Sequence, residues 1–441
     1  MPWLIDSLAT TAALSEVFAD ETILRQMLEF EVALAAAEAQ IGVIPRAASE
    51  AITAAARDAE VDARAIARDA RESGTIVVPF VKALTAHVGT RDGAAAGFVH
   101  FGATSQDVSD TALVRLLQDS RRFIAADHAR LEDALRRLSD RHAATVMLGR
   151  TLLQPAPPIT FGLKLARYVA AIVRGWSRAE AAFEASAMLQ FGGASGTLAS
   201  LGAGGPDVAR VLAQALGLQM PPAPWHTDRD RIAALVTALG IYTATLGKIA
   251  RDLALLMQDE VGEAAEPGGS SSTMPHKRNP SGCAIALASA SRMPGLVSSY
   301  LNGMTQEHER AVGGWHAEWP TVSAIVQATG AAVQALAGAF EELAVNPERM
   351  RANIDRTNGA IFAERVVMTA APRGGRHAAQ ALVQSALESS RRDGVSFREA
   401  LRTQPDVSAL LTAEELRTID VPEDYLGAAD QMRRALLDDG R

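Results

Sequence analysis

Gly268-Gly269-Ser270-Ser271-Ser272-Thr273-Met274-Pro275-His276-Lys277-Arg278-Asn279-Pro280 is the stretch from which the rest of this chain is read. It crowds hydroxyls, an ammonium and a carboxamide into one glycine-rich loop, a composition suited to gripping an anion. Lys277 is one of only four lysines, with Lys82, Lys164 and Lys248, in a chain that otherwise takes its positive charge from arginine. A plain connector between two helices would also be rich in Gly, Ser and Pro. The ordered Met-Pro-His-Lys-Arg-Asn-Pro that follows is too particular for a connector, so the loop reads as functional.

Upstream of the loop, Ile232, Leu235, Val236, Leu239, Tyr242, Leu246, Ile249, Leu253, Leu256 and Met257 recur at three/four spacing, which marks one amphipathic helix. Asp228 or Asp230 can cap its start and Pro267-Gly268-Gly269 stops it. Roughly thirty residues at 1.5 Å each give a rod about 45 Å long. Comparable stripes run through Leu113 to Leu138, Leu163 to Phe183, Ile285 to Met293 and Val322 to Leu343, which makes five candidate helices in the middle of the chain. Stripes of that length exceed the needs of one small core and point to partner helices from other subunits. The residues before Gly89-Thr90-Arg91-Asp92-Gly93 read as shorter helices. After Pro347 the pattern breaks, with Pro372-Arg373-Gly374-Gly375-Arg376 expected as a loop inside a final helical segment. No sustained strand alternation and no tandem repeat is visible.

Composition bounds the function. The chain has 441 residues, 48% hydrophobic, 21% charged and 5% aromatic, with a net charge of −8. That balance suits a globular protein and argues against a nucleic-acid surface, so an anion site must be a local cluster of cations. Cys283 is the only cysteine, which excludes an intrachain disulfide and a thiolate metal site, and it is expected to be a small buried apolar residue. The N-terminus lacks a basic start followed by an apolar core, and no uncharged apolar run approaches a membrane span. A cytoplasmic location without membrane partners is the default expectation. No His/Asp/Glu spacing matches a site such as HExxH, so neither a metal nor another cofactor is expected.

Two further polar clusters accompany the loop. His100-Phe101-Gly102-Ala103-Thr104-Ser105-Gln106-Asp107 stands at the start of the first long stripe, where hydroxyls and free backbone N–H groups make an anion site or a plain helix cap. Gly149-Arg150-Thr151-Leu152-Leu153-Gln154-Pro155 lies between the first two stripes.

Together the three clusters resemble the signature regions of the fumarase/aspartase superfamily. Its GSSxMPxKxN signature is read here at Ser270 to Asn279, with serine in place of the leading glycine. The resemblance implies an all-α, three-domain fold: an N-terminal helical domain at 1–107, a central bundle of five long helices at 108–346 carrying the signature loop 266–280, and a C-terminal helical domain at 347–441. It further implies a homotetramer with a twenty-helix core and active sites shared among three subunits, one bringing the His100 region, one Arg150 and one Ser271. Ser271 is implied as the residue that moves the proton at carbon, with Lys277 the alternative because an ammonium is the stronger acid. The substrate-binding set is His100, Thr104, Ser105, Arg150, Thr151, Gln154, Arg229, His276, Asn279 and Arg310. The loop is expected to be mobile when empty and to close over substrate.

In the second region Thr151 and Gln154 flank a position that is histidine in many relatives and Leu152 here, where an apolar side chain is expected to pack. Relatives that expel an amine or hydroxide commonly cast that histidine as a general acid or as partner to one, because such groups leave badly without a proton. A carboxylate, the conjugate base of an acid with pKa near ~4, leaves or attacks unaided. Leucine therefore fits chemistry in which the moving group is a carboxylate, and a carboxylate adding within its own molecule makes a lactone. That description is similar to the bacterial 3-carboxy-cis,cis-muconate cycloisomerases, a branch also resembled by Phe191 to Leu198, Pro224 to Arg231, Gln306 to Arg310 and Gly313 to Pro320. The branch implies formation of carboxymuconolactone in aromatic (protocatechuate, β-ketoadipate) catabolism, from a small tricarboxylate. The alternatives are an adenylosuccinate lyase-type β-elimination, a cycloisomerase for a sulfonated muconate, and a catalytically silent homologue of the lens-crystallin kind. His226 and His308 stay open as site or structural residues, while His87, His128, His142 and His377 read as satisfied or solvated.

Overall fold

The computed structural model describes residues 3–269, 273–274 and 277–438. The five stripes correspond to the helices Ser105–Arg141, Phe161–Ser186, Asp230–Leu256, Ser281–Gly303 and Gly314–Glu341, so the all-α class holds. Asp230 is the first residue of its helix, and the cap position falls to Arg229, whose carbonyl accepts the N–H of Ala233 at 2.9 Å. By its contacts the chain divides into two compact units, one formed by 1–128, 175–247 and 285–334 and the other by 129–174, 248–284 and 335–441.

In the first unit, helices Asp20–Ile41, Arg46–Ala56, Ala63–Ser73 and Val77–Gly89 close over a core that includes Met27, Phe30, Leu34, Ile52, Phe80 and Leu84. The long helices meet here through small side chains, which is what the alanine-rich composition permits. A Cβ placed on Gly247 would fall 2.4 Å from Cβ of Ala290, so only glycine allows that approach. His128 is a satisfied core histidine, its Nδ1 lying 2.9 Å from the Tyr242 hydroxyl and its ring stacked on Trp176.

One composition-based expectation needs correcting. Asp230–Leu256 and Gly314–Glu341 are long and apolar enough to cross a membrane by length and composition alone. In their most apolar stretches 56% and 72% of the residues are buried inside the protein, the behaviour of core helices.

The second unit carries the C-terminal helices, packed around Val366, Phe397, Leu401, Leu410 and Ile419. It also holds a β-hairpin, Val146–Thr151 with Gln154–Thr160, that hydrophobic alternation did not reveal. The reason is physical: the second strand contains Pro155, Pro157 and Pro158, which cannot donate to a ladder and hide the period of two. The interruption expected at Pro372 to Arg376 is narrower than a loop: within 363–393 two helical stretches meet at a kink at Gly375, whose φ of 80° is non-helical.

Candidate active site

In the first unit the first region lies where helix Ser105–Arg141 begins. Asp107 is fully buried and organises the turn: its carboxylate accepts the backbone N–H groups of Thr104, Gly192 and Gly193 at 3.0, 3.1 and 2.9 Å. His226 Nε2 lies 2.7 Å from the same carboxylate, which makes His226 a buried partner of Asp107. Thr104 and Ser105 are half-buried at the helix N-terminus, and among the described residues no side chain bonds their hydroxyls. His100 has a left-handed φ of 58°, and its Nδ1 lies 2.7 Å from Glu31.

One turn further on, Asp110 and Glu318 clamp Arg229. The guanidinium makes contacts of 2.7 and 3.1 Å to Asp110 and as short as 2.6 Å to Glu318, with all three side chains buried. Burial works against the cation, and the two carboxylates outweigh it, so Arg229 stays firmly charged. Its donors are thus spent inside the protein. Arg229 was expected to bind substrate; the structure instead gives it the task of tying two helices together. Trp315 Nε1 and Gln190 Nε2 also donate to Asp110, at 3.0 and 3.2 Å. Arg310 remains partly exposed, donating to the carbonyl of Ala194 at 2.9 Å and to Gln106 Oε1 at 3.4 Å. His308 is exposed, and its carbonyl accepts the Thr227 hydroxyl.

In the second unit the second region forms the hairpin tip. Thr151 pairs with Gln154, and the two turn residues Leu152 and Leu153 have φ of 50° and 64°, a conformation that ordinarily selects Asn-Gly. Leu152 is 97% exposed, so it does not pack as expected but projects from the tip. Arg150 forks onto the buried Glu263 with bonds of 3.0 and 2.7 Å, and Asn353 Nδ2 donates to the same carboxylate at 2.7 Å. Arg150 also lines a cavity of about 500 Å³ with Asn353, Arg356 and Thr357.

The signature loop joins the same unit. Its neck is closed by the N–H of Asn279 donating to the carbonyl of Gly269 at 2.9 Å. On one side of the neck, Glu266 is buried and its carboxylate accepts the N–H of Gly282 at 2.9 Å, capping helix Ser281–Gly303; burial holds this carboxyl above the usual range. Cys283, fully buried as expected, bonds Glu266, and burial pushes its thiol up to about 12. Lys277 and Arg278 are exposed and border a cavity of about 970 Å³ with Met257, Ala264, Asn346 and Glu348. Ser271 and His276, with Ser270, Ser272 and Pro275, lie outside the described residues. Among the described residues no three His, Cys, Asp or Glu side chains gather as metal ligands would.

Residues 8–295 match the family described as Lyase, and residues 359–436 match the adenylosuccinate lyase C-terminus. The chain is 44% identical to a 3-carboxy-cis,cis-muconate cycloisomerase of Bradyrhizobium diazoefficiens over 99% of this chain and 97% of that protein. The chain belongs to the fumarase/aspartase superfamily of lyases. A crystal structure of the 3-carboxy-cis,cis-muconate lactonizing enzyme from Pseudomonas putida superposes with a TM-score of 0.94 at 41% identity, covering 99% of both chains. A nitrosuccinate lyase of Streptomyces davaonensis is 40% identical over 93% of this chain and 89% of that protein.

Within this superfamily fold, the first unit carries His100, Thr104, Ser105, Arg229 and Arg310, and the second carries Arg150, Thr151, Gln154, Lys277 and Asn279. Sequence reasoning sought cations and hydroxyls and so missed the buried carboxylates that hold them: Glu31, Asp107, Asp110, Glu263 and Glu318. Asp107 and Glu318 stood inside the quoted motifs. Their signal was an acid placed among residues chosen to bind acids, which makes sense only if the acid serves the protein itself.

Proposed function

We propose that this enzyme cycloisomerises 3-carboxy-cis,cis-muconate to carboxymuconolactone, a step of protocatechuate catabolism. The observation that carries the reading is Leu152, presented at the exposed hairpin tip between Thr151 and Gln154, where relatives that expel an amine or hydroxide carry a histidine. Full-length similarity to proteins of that activity supports it. One substrate carboxylate attacks an alkene carbon and forms the C–O bond. The π electrons move to the carbon beside another carboxylate, and that carbon takes a proton. The developing aci-carboxylate needs preorganised donors, for which His100, Thr104, Ser105, Arg150, Thr151, Gln154, His276, Asn279 and Arg310 are the candidates. Ser271 delivers the proton by superfamily analogy, with Lys277 the alternative donor.

The proposal includes a cytoplasmic homotetramer built from the three-part chain 1–107, 108–346 and 347–441, each site drawing on three subunits. Exposed Ile241 and Leu301 on the long helices support a partner surface there. Mixing an Arg150 variant with a Ser271 variant then restores part of the activity, and a fully active monomer in sedimentation ends this part of the proposal.

A second reading follows from the same leucine. Elimination of another weakly basic anion, as from a nitrosuccinate, also dispenses with the acid, and a nitrosuccinate lyase is among the relatives. The deciding experiment follows absorbance with 3-carboxy-cis,cis-muconate, its sulfonated analogue, nitrosuccinate and adenylosuccinate side by side. Loss of the diene band with the first compound alone supports the proposal, and turnover of adenylosuccinate alone overturns it.

A further inference from the structure

Glu31 and His100 are brought together by two helices far apart in sequence. The Glu31 side chain is 1% exposed and the His100 ring 17%, with Oε1 and Nδ1 2.7 Å apart. His100 reaches this position only through a left-handed backbone, an arrangement that costs energy and persists where the surroundings demand it. A buried carboxylate without a donor would be costly, so Glu31 calls for a proton on Nδ1.

Other charges face the pair. On the same helix, seven residues on, Glu38 is fully buried, with neither oxygen hydrogen-bonded among the described residues. Burial, then the charge of Glu31, pushes Glu38 up to about 9, so it is neutral at pH 7. From helix Ser105–Arg141, Asp107 also faces His100, and its own bonds go to His226 and to backbone N–H groups. Burial lowers the basicity of the His100 ring, but Glu31 and then Asp107 more than offset this and leave it raised. Two carboxylates without a cation would repel an anionic substrate. Arg229 cannot help, because Asp110 and Glu318 neutralise it.

We propose that Glu31 is a positioning residue that holds His100 as an imidazolium, with Nδ1 turned to helix Asp20–Ile41 and Nε2 presented to a substrate carboxylate. This deepens the proposed function and rests on it. Charge on His100 is present below its raised pKa and is lost as pH rises through it. Without Glu31 the loss comes at lower pH, because burial then acts with less opposition.

The test is a titration of the full-length protein carrying 13C-labelled histidine, with the His100 signal assigned through H100Q. In the wild type the His100 midpoint lies above that of an ordinary histidine. In E31Q it falls by about one unit or more, and in E31D it falls less. With 3-carboxy-cis,cis-muconate, E31Q raises KM on the order of tenfold in the pH window between the two midpoints, with kcat changed less than about threefold. The KM difference closes at pH values below both midpoints. E38Q leaves the His100 titration at neutral pH unchanged. A wild-type midpoint at or below the ordinary value overturns the proposal whether or not the variants fold, as does an E38Q shift equal to that of E31Q. If the wild type ignores carboxymuconate while E31Q still lowers the His100 midpoint, the substrate reading fails and the charged pair stands.

Discussion

The carbonyl of Gly269 accepts the N–H of Asn279 at 2.9 Å, and the approach is so close that a Cβ on residue 269 would fall 2.1 Å from the Asn279 carbonyl oxygen. The neck of the signature loop therefore depends on a missing side chain. Gly268 shares the left-handed backbone, with φ 77° against 68°, but has nothing within 4 Å of its Cβ position.

The pair of glycines separates two effects. Gly268→Ala should carry only the backbone strain, about 1 kcal/mol. Gly269→Ala must also open the neck that sets Asn279 and Lys277, and should lower kcat on the order of a hundredfold, as misplacement of catalytic groups does. Melting curves and kcat measured side by side check this. Equal losses in the two variants would show that the neck contact is irrelevant to turnover.

Arg150 serves both the fold and, in the proposal, the substrate. Arg150→Ala leaves the buried Glu263 with Asn353 as its remaining side-chain partner among the described residues, and should cost roughly 3 kcal/mol of stability along with a large rise in KM. Adding Glu263→Gln removes the uncompensated charge. The double variant should recover most of the stability and none of the affinity, read by denaturant unfolding and by KM. Recovery of both would make Arg150 purely structural.

Leu152→His should fold normally, because the side chain is 97% exposed at the hairpin tip and the substitution disturbs no core. It should not raise lactonisation, since an attacking carboxylate has no proton to surrender at neutral pH. A turnover number several-fold above the wild type would refute the leaving-group argument from which the proposed chemistry was drawn.

The long helices were legible because each buries one apolar stripe, and a stripe is a property of sequence alone. The hairpin was not, because its second strand is built on Pro155, Pro157 and Pro158 and owes its place to pairing with residues 146–151. The signature regions were legible as motifs, and superfamily membership followed from them. The commitment of Arg229 was not, because its partners, Asp110 and Glu318, lie 119 and 89 residues away and only the fold brings them to the guanidinium. For the same reason nothing in the sequence sets Glu31 apart, because its partner His100 lies 69 residues away and only the fold brings the two together.

Glu38 offers a stability test that is independent of any substrate. Its carboxyl is fully buried and is pushed from the ordinary value to about 9 by burial and by Glu31. An acid whose folded pKa is raised keeps its proton in the native state while the unfolded chain gives it up, so native stability declines as pH rises from the unfolded value toward 9. The slope approaches about 1.4 kcal/mol per pH unit for one group across that window, and it flattens outside it. Glu38→Gln removes the titration but keeps the shape. The stability of Glu38→Gln relative to wild type should therefore increase steadily between about pH 5 and pH 9 and change little below that range. Urea unfolding of both proteins at matched pH values measures the difference. A gap that stays constant, or one that narrows with rising pH, would mean that Glu38 is ionised in the native protein and has found a partner for its charge.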